Sequence, residues 1–350
     1  MRRIPFCSAA ILLAATLVGD AHAEGGTTWL VVASSASPPQ ELRDAIGRAG
    51  GTIVRDYPEM GTVVVEAPDP GFPAAAATIP GVSSVVPNVS LRVHLDGDEA
   101  GDAQVLVPPA GEPLYPLQWG LHAIRAQGAW DAGHRGAGVR VAVLDTNFDL
   151  THPGLAPNIN VELAQSFVPG EPIAPPPGAV TSHGTGVAGV IAATADGVGT
   201  AGVAPDAELV PIKVIGDVVG LTLPAFLDAV EYAVAIQADV VNMSFVAYLP
   251  RSGGCFPEPY GCLTAAEVRV IEKVGSRAIK HARRHGVTMI AAAANDALEL
   301  NRRDELLALP AETKGVLAVS ATGPIGWALD QSTDIACRRP TRTSGSASST

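Results

Sequence analysis

From residue 139 to residue 321 the chain alternates short apolar runs with helical stretches, and that alternation admits few folds. Residues 139–144, 208–214, 239–243, 287–293 and 316–321 are apolar runs of strand length. Between them fall a helix from His183, a helix over 222–236 and a long helix over 264–285. Strands this apolar, separated by helices, predict a parallel sheet with helices on both faces, an α/β fold. In such sheets functional groups collect beyond the carboxyl ends of the strands. Composition agrees, because 47% apolar and 17% charged side chains in 350 residues allow a sizeable core. A formal charge of −12 argues against nucleic-acid and anionic-lipid partners, which such a surface repels.

The start of the chain reads differently. Arg2 and Arg3, an apolar stretch over 9–18 and Ala21-His22-Ala23 have the three parts of a secretory signal peptide, expected to be cleaved after Ala23. Gly19-Asp20 interrupts the apolar stretch too early for a membrane span, so a secreted or periplasmic protein with no membrane partner after cleavage is expected. Residues 24–93 predict a small α+β domain. Strand patterns at 29–33, 62–66 and 82–86 and helices at 39–49 and 72–79 suggest a βαββαβ-like order. Residues 94–113, acidic and rich in Pro and Gly, read as a linker to a main domain over 114–335. Cys255 and Cys262 flank a turn-rich segment; in an oxidising compartment that spacing permits a disulfide, and two unpaired thiols are the alternative.

Three strand or helix ends carry chemistry. Asp145 closes the first apolar run of the main domain; taken alone it reads as a cap or loop aspartate. His183 opens a helix of small residues, Gly184-Thr185-Gly186-Val187-Ala188-Gly189, able to lie close on a sheet. Asn295 follows the run 287–293, where a carboxamide can serve an oxyanion or cap a turn. His281 and His285, four apart on a helix beside Arg283 and Arg284, lack a third metal ligand and read as a solvated face.

Taken in order, Asp145-Thr146, the His183 motif and Asn295 resemble the subtilisin-like serine proteases. The resemblance extends through Leu117-Gln118-Trp119-Gly120-Leu121, His152-Pro153, Gly202-Val203-Ala204-Pro205 and Asn242-Met243-Ser244. It implies hydrolysis of a polypeptide substrate, with His183 as general base, Asp145 holding its tautomer and Asn295 donating to the oxyanion. It also implies that Ser244 and the loop bearing Gly216 and Gly220 wall a peptide-binding cleft, and that residues 24–93 are the chain's own inhibitory propeptide.

The pattern departs from the family at several places. Asn147 stands where relatives have glycine, an exchange that a left-handed backbone tolerates. Phe245-Val246 replaces small glycines, predicting a bulkier cleft wall. Gly154 lacks the carboxylate with which many relatives help bind calcium; calcium is left open, and no metal ligand set or cofactor is assigned. No Gly-Thr-Ser nucleophile motif follows residue 321, and Ser344, preceded by Arg342 and with no helix after it, is not assigned that role.

From Ala336 the composition turns to arginine and serine. Codons for this stretch can be chosen so that a reading from the third base of codon 336 gives Leu-Pro-Ala-Pro-Tyr-Thr-Asn-Phe-Gly, which resembles the family's next segment. A frameshift or misplaced gene end is therefore expected, with 336–350 an aberrant tail, the serine missing and this chain inactive. A pseudoprotease fragment and a propeptide-type inhibitor module are the alternatives.

Overall fold

The computed structural model describes residues 27–95, 114–175, 182–217, 219–256, 261–294, 305–324 and 338–340. The signal-like start, most of the expected linker, Asn295 and most of the tail lie outside the described residues.

The first unit runs β1 (Thr27–Ala33), α1 (Gln40–Arg48), β2 (Thr52–Tyr57), β3 (Thr62–Ala67), α2 (Phe72–Ala77) and β4 (Val82–Pro87). Its antiparallel sheet has the order β2-β3-β1-β4. Leu42 and Ile46 of α1 and Phe72 and Ala76 of α2 pack on Val31, Val63 and Val65, one face of the sheet. Each large side chain so buried contributes about 1.5–3 kcal/mol. Gly51 must be glycine here, because a Cβ would sit 2.5 Å from Val65 and 2.6 Å from the Phe72 ring. Two short strands follow, β5 (Ser90–Leu91) and β6 (His94–Leu95), the latter inside the stretch that composition marks as linker.

The main unit contributes α3 (Trp119–Ala123), α4 (Ala126–Asp131), β7 (Arg140–Asp145), β8 (Gln165–Ser166), α5 (His183–Ala192), β9 (Glu208–Lys213), β10 (Ile215–Gly216), β11 (Gly220–Thr222) and α6 (Leu223–Ala235). It continues through β12 (Val240–Met243), β13 (Phe245–Pro250), β14 (Gly253–Cys255), β15 (Cys262–Thr264), α7 (Ala265–Arg284), β16 (Thr288–Ala292), β17 (Leu306–Leu309) and β18 (Val316–Val319). Beyond it, β19 (Thr322–Pro324) pairs with β20 (Arg338–Pro340). Local signals set the helix starts: the Thr222 hydroxyl accepts from the Ala225 N–H, and Thr264 and Glu267 cap each other reciprocally at the head of α7.

A six-stranded sheet of order β18-β16-β12-β7-β9-β8 is the centre of the molecule, and its registered pairs are parallel. Ala142, Leu144, Val241, Met243, Met289 and Ala291 face α6 and α7 in the largest core cluster. Val141 and Val143 face the other way, onto Ala188 and Ala192 of α5. Pairing carries that second face across β12, β16 and β18 through Val143, Asn242, Ile290 and Leu317. It is only half covered: Leu317 and Val319 are each 57% exposed, and a Cβ added at Gly186 or Gly189 of α5 would meet nothing within 4 Å among the described residues.

The first unit docks its sheet on α6 and α7. Leu30, Val32, Tyr57, Met60, Val64 and Val86 share the core cluster with Phe226, Val274 and Ala278. Tyr57 donates its hydroxyl to Asp228 at 2.7 Å, and Arg277 donates to the carbonyls of Ala33, Ser34, Met60 and Gly61. His281 corrects the expectation of a solvated pair. It is 5% exposed, because its position on α7 turns it towards α6, and its Nε2 lies 3.2 Å from Glu231. Only His285 is on the outside.

Candidate active site

Strand β7 delivers Asp145 to the carboxyl end of the sheet, with its side chain fully buried. A carboxylate there needs donors, and its Oδ1 has three: the Thr146 N–H at 2.7 Å, the Thr146 hydroxyl at 3.1 Å and His183 Nδ1 at 2.7 Å. Its Oδ2 has no partner among the described residues. His183 opens α5, and Ser182 before it donates its hydroxyl to the Asn147 carbonyl. The helix can come this close because position 184 is glycine; a Cβ there would lie 2.7 Å from the Asn147 carbonyl oxygen and 2.9 Å from the Phe148 ring. Its N–H donates to the Thr146 hydroxyl. At the far end Gly202 has the same function, with a Cβ site 2.4 Å from the Ala192 backbone.

This geometry dictates a tautomer. With Nδ1–H donated to Asp145, the lone pair of the neutral imidazole sits on Nε2, the arrangement of a general base. The anion beneath it stabilises the imidazolium that proton abstraction would create.

Two further elements bear the residues that the resemblance assigns to substrate. On one side β10 and β11 form a hairpin through Gly216 and Gly220. On the other, Ser244 precedes β13 and its hydroxyl accepts from Asn242. The first unit's last strands lie between them: β5 pairs antiparallel with β11, and β6 pairs antiparallel with β13. Leu91 lines an apolar cavity together with Leu221, Phe226, Phe245 and Leu309. Phe245 lines this cavity, and Val246 packs on Ala294 and Ala308.

Asn295 lies outside the described residues, but Ala294 before it is buried with φ 76, a left-handed backbone that alanine adopts at a cost. Asn147 corrects the sequence expectation in the opposite sense. It is not among the residues of positive φ. Its side chain is what the position uses: Oδ1 accepts from Lys213 Nζ and Nδ2 donates to Asp217 at 3.1 Å.

Lys213, a fully buried cation at the end of β9, also pairs with Glu171 at 2.7 Å and Asp217 at 3.1 Å. Sequence reasoning passed over these three residues; the available signal was a lone lysine in the apolar run 208–214. Cys255 and Cys262 are joined by a disulfide that closes the β14–β15 hairpin. Among the described residues no group of three His, Cys, Asp or Glu side chains is placed to hold a metal.

A model of the subtilase family matches residues 136–349, a span that includes Ser344 and most of the tail. Subtilisin Savinase of Lederbergia lenta is 33% identical over 206 residues, which are 59% of this chain and 64% of that protein, so the chain spans under two thirds of that relative. The fold is similar to that of the epidermin leader peptide processing serine protease of Staphylococcus aureus, with a TM-score of 0.64 and 17% identity over 88% of this chain and 77% of that one. It is also similar to fervidolysin of Fervidobacterium pennivorans, with a TM-score of 0.53 and 23% identity over 77% and 40%.

Proposed function

Because this chain belongs to the subtilase family, we propose that Asp145 and His183 are the orienting carboxylate and the general base of a serine endopeptidase site, in an exported protein that acts on polypeptides. The observation that carries this reading is the contact of 2.7 Å between His183 Nδ1 and a carboxylate with no exposure to water. A buried anion costs several kcal/mol unless it is paired, and here its pairing sets the imidazole for proton transfer.

In this reading His183 takes the proton of a serine hydroxyl as the oxygen attacks the peptide carbonyl, then returns it to the leaving amine. Asn295 donates to the oxyanion. The strand-paired walls at β11 and β13 hold the substrate extended, and Ser90–Leu95 is the chain's own inhibitory occupant of that cleft.

The nucleophile is proposed to belong to an element that covers the open face of the sheet beside α5. Support comes from the exposure of Leu317 and Val319 and from the space over Gly186 and Gly189, open among the described residues. That element lies on a reading frame shifted after Ala336, and the 350-residue chain itself is inactive.

The test begins with the coding DNA across codon 336. A shifted frame that continues into a serine motif should encode a product that hydrolyses casein, releases its first unit, and loses both activities with His183→Ala or Asp145→Asn. Hydrolysis that survives His183→Ala would refute the assignment. If no frame supplies a serine, the origin proposed for the nucleophile fails and the pseudoprotease reading takes its place.

A further inference from the structure

The cluster around Lys213 is not explained by stability alone. Its side chain is 1% exposed, and a lysine so buried survives only with its charge met. Here the ammonium meets Glu171 and Asp217 and donates to the Asn147 amide oxygen. Each partner belongs to a different part of the site. Asn147 ends the Asp145-Thr146-Asn147 loop, and its backbone carbonyl accepts the hydroxyl of Ser182, the residue immediately before His183's helix. Asp217 sits in the turn between β10 and β11, the cleft wall that pairs with β5, and receives the Asn147 amide. Glu171 accepts the Asp217 backbone N–H, at 3.0 Å to the nearer oxygen. Lys213 itself stands beside Asp145 in the parallel register of β7 and β9.

We infer that Lys213, acting through Asn147, is a positioning residue that sets the Asp145–His183 pair and the β10–β11 cleft wall in one fixed relation. The inference rests on the proposed function, since it assigns a role within that site. The chain of contact is short. Lys213 fixes the Asn147 side chain, and with it the carbonyl that holds Ser182. Ser182 fixes where α5 begins, and α5 begins with His183. A shift of about 1 Å in such a chain is enough to misplace a catalytic hydrogen bond.

The test follows the Nδ1 proton of His183 by NMR in the 350-residue chain, where a short hydrogen bond to Asp145 should give a far-downfield, slowly exchanging signal. Asp145→Asn, which replaces the carboxylate acceptor, assigns it. Lys213→Met should fold, because methionine fills most of the volume while Glu171 and Asp217, 21% and 46% exposed, keep water. Asn147→Ala is the milder second variant and removes only the amide.

Lys213→Met should speed exchange of that proton at least tenfold or remove the signal, Asn147→Ala should act in the same direction, and Lys213→Arg should restore it. The signal unchanged in folded Asn147→Ala or Lys213→Met would overturn the inference. Should Lys213→Met fail to fold, Asn147→Ala decides. Absence of the signal in the unsubstituted chain would instead count against the proposed function, so the two failures are distinguishable.

Discussion

Arg277→Ala tests whether the first unit is held as a separable ligand of the main one. The guanidinium reaches from α7 to four backbone carbonyls of the first unit: Nη2 donates to Ala33 at 3.0 Å and Ser34 at 3.3 Å, and Nη1 to Met60 and Gly61, both at 3.2 Å. These carbonyls lie at the end of β1 and at the turn into β3. A hydrogen bond from a charged donor contributes about 1.5–3 kcal/mol, but here two nitrogens share four acceptors and the outer contacts are open to water. Counting one bond per nitrogen at the lower figure gives about 3 kcal/mol, or roughly a hundredfold in affinity.

The assay inserts a site for an added protease into residues 96–113, cuts there and dilutes the nicked complex through size-exclusion chromatography. The alanine variant should dissociate at about a hundredfold higher concentration than the unsubstituted complex, and Arg277→Lys, with one donor centre, should fall between. A nicked Arg277→Ala complex that dissociates within threefold of the unsubstituted one would refute the reasoning.

The same interface should respond to pH. Burial raises the Asp228 carboxyl against the opposing effects of the Tyr57 hydroxyl and Arg55, with Glu231 also near. Docking therefore favours the protonated acid, so the nicked complex should weaken as pH rises through and above the usual carboxylate range of about 4, and Asp228→Asn should flatten that dependence. Ala294→Gly should raise stability by about 0.5–1 kcal/mol in urea unfolding, since glycine adopts φ 76 without penalty; no gain would mean the surroundings have already absorbed the strain. Reducing the Cys255–Cys262 disulfide, which spans a separation of 7, should lower the unfolding free energy by about 2.5 kcal/mol on the loop-entropy account, read as a urea midpoint with and without reductant.

The parallel sheet was legible because its strands read as unbroken apolar runs, as 141–144 and 289–293 do, and 141–144 is buried on both faces. Asp145 and His183 were legible for a different reason: each ends or opens an element whose other residues are apolar or small, and their order matches a known pattern. β2, with Arg55 and Asp56 in its run, hid because it lies at the edge of the first sheet and is largely exposed. β5, β6, β10 and β11 are two or three residues long and form only because their partners stand opposite. No local period records such pairing. Asn147 was misread as a backbone substitution because the cation that engages its side chain lies 66 positions away. The same limit hid His281, whose helix face is defined by α6.

The most direct test of the central claim is fluorophosphonate labelling of the purified 350-residue chain, read by intact mass and repeated on His183→Ala. Such a probe marks a serine only where a positioned base activates it. On the proposed reading no adduct that depends on His183 forms, because the nucleophile is there assigned to a segment outside these 350 residues. A stoichiometric adduct on a serine of this chain, Ser344 above all, that disappears in His183→Ala would contradict it.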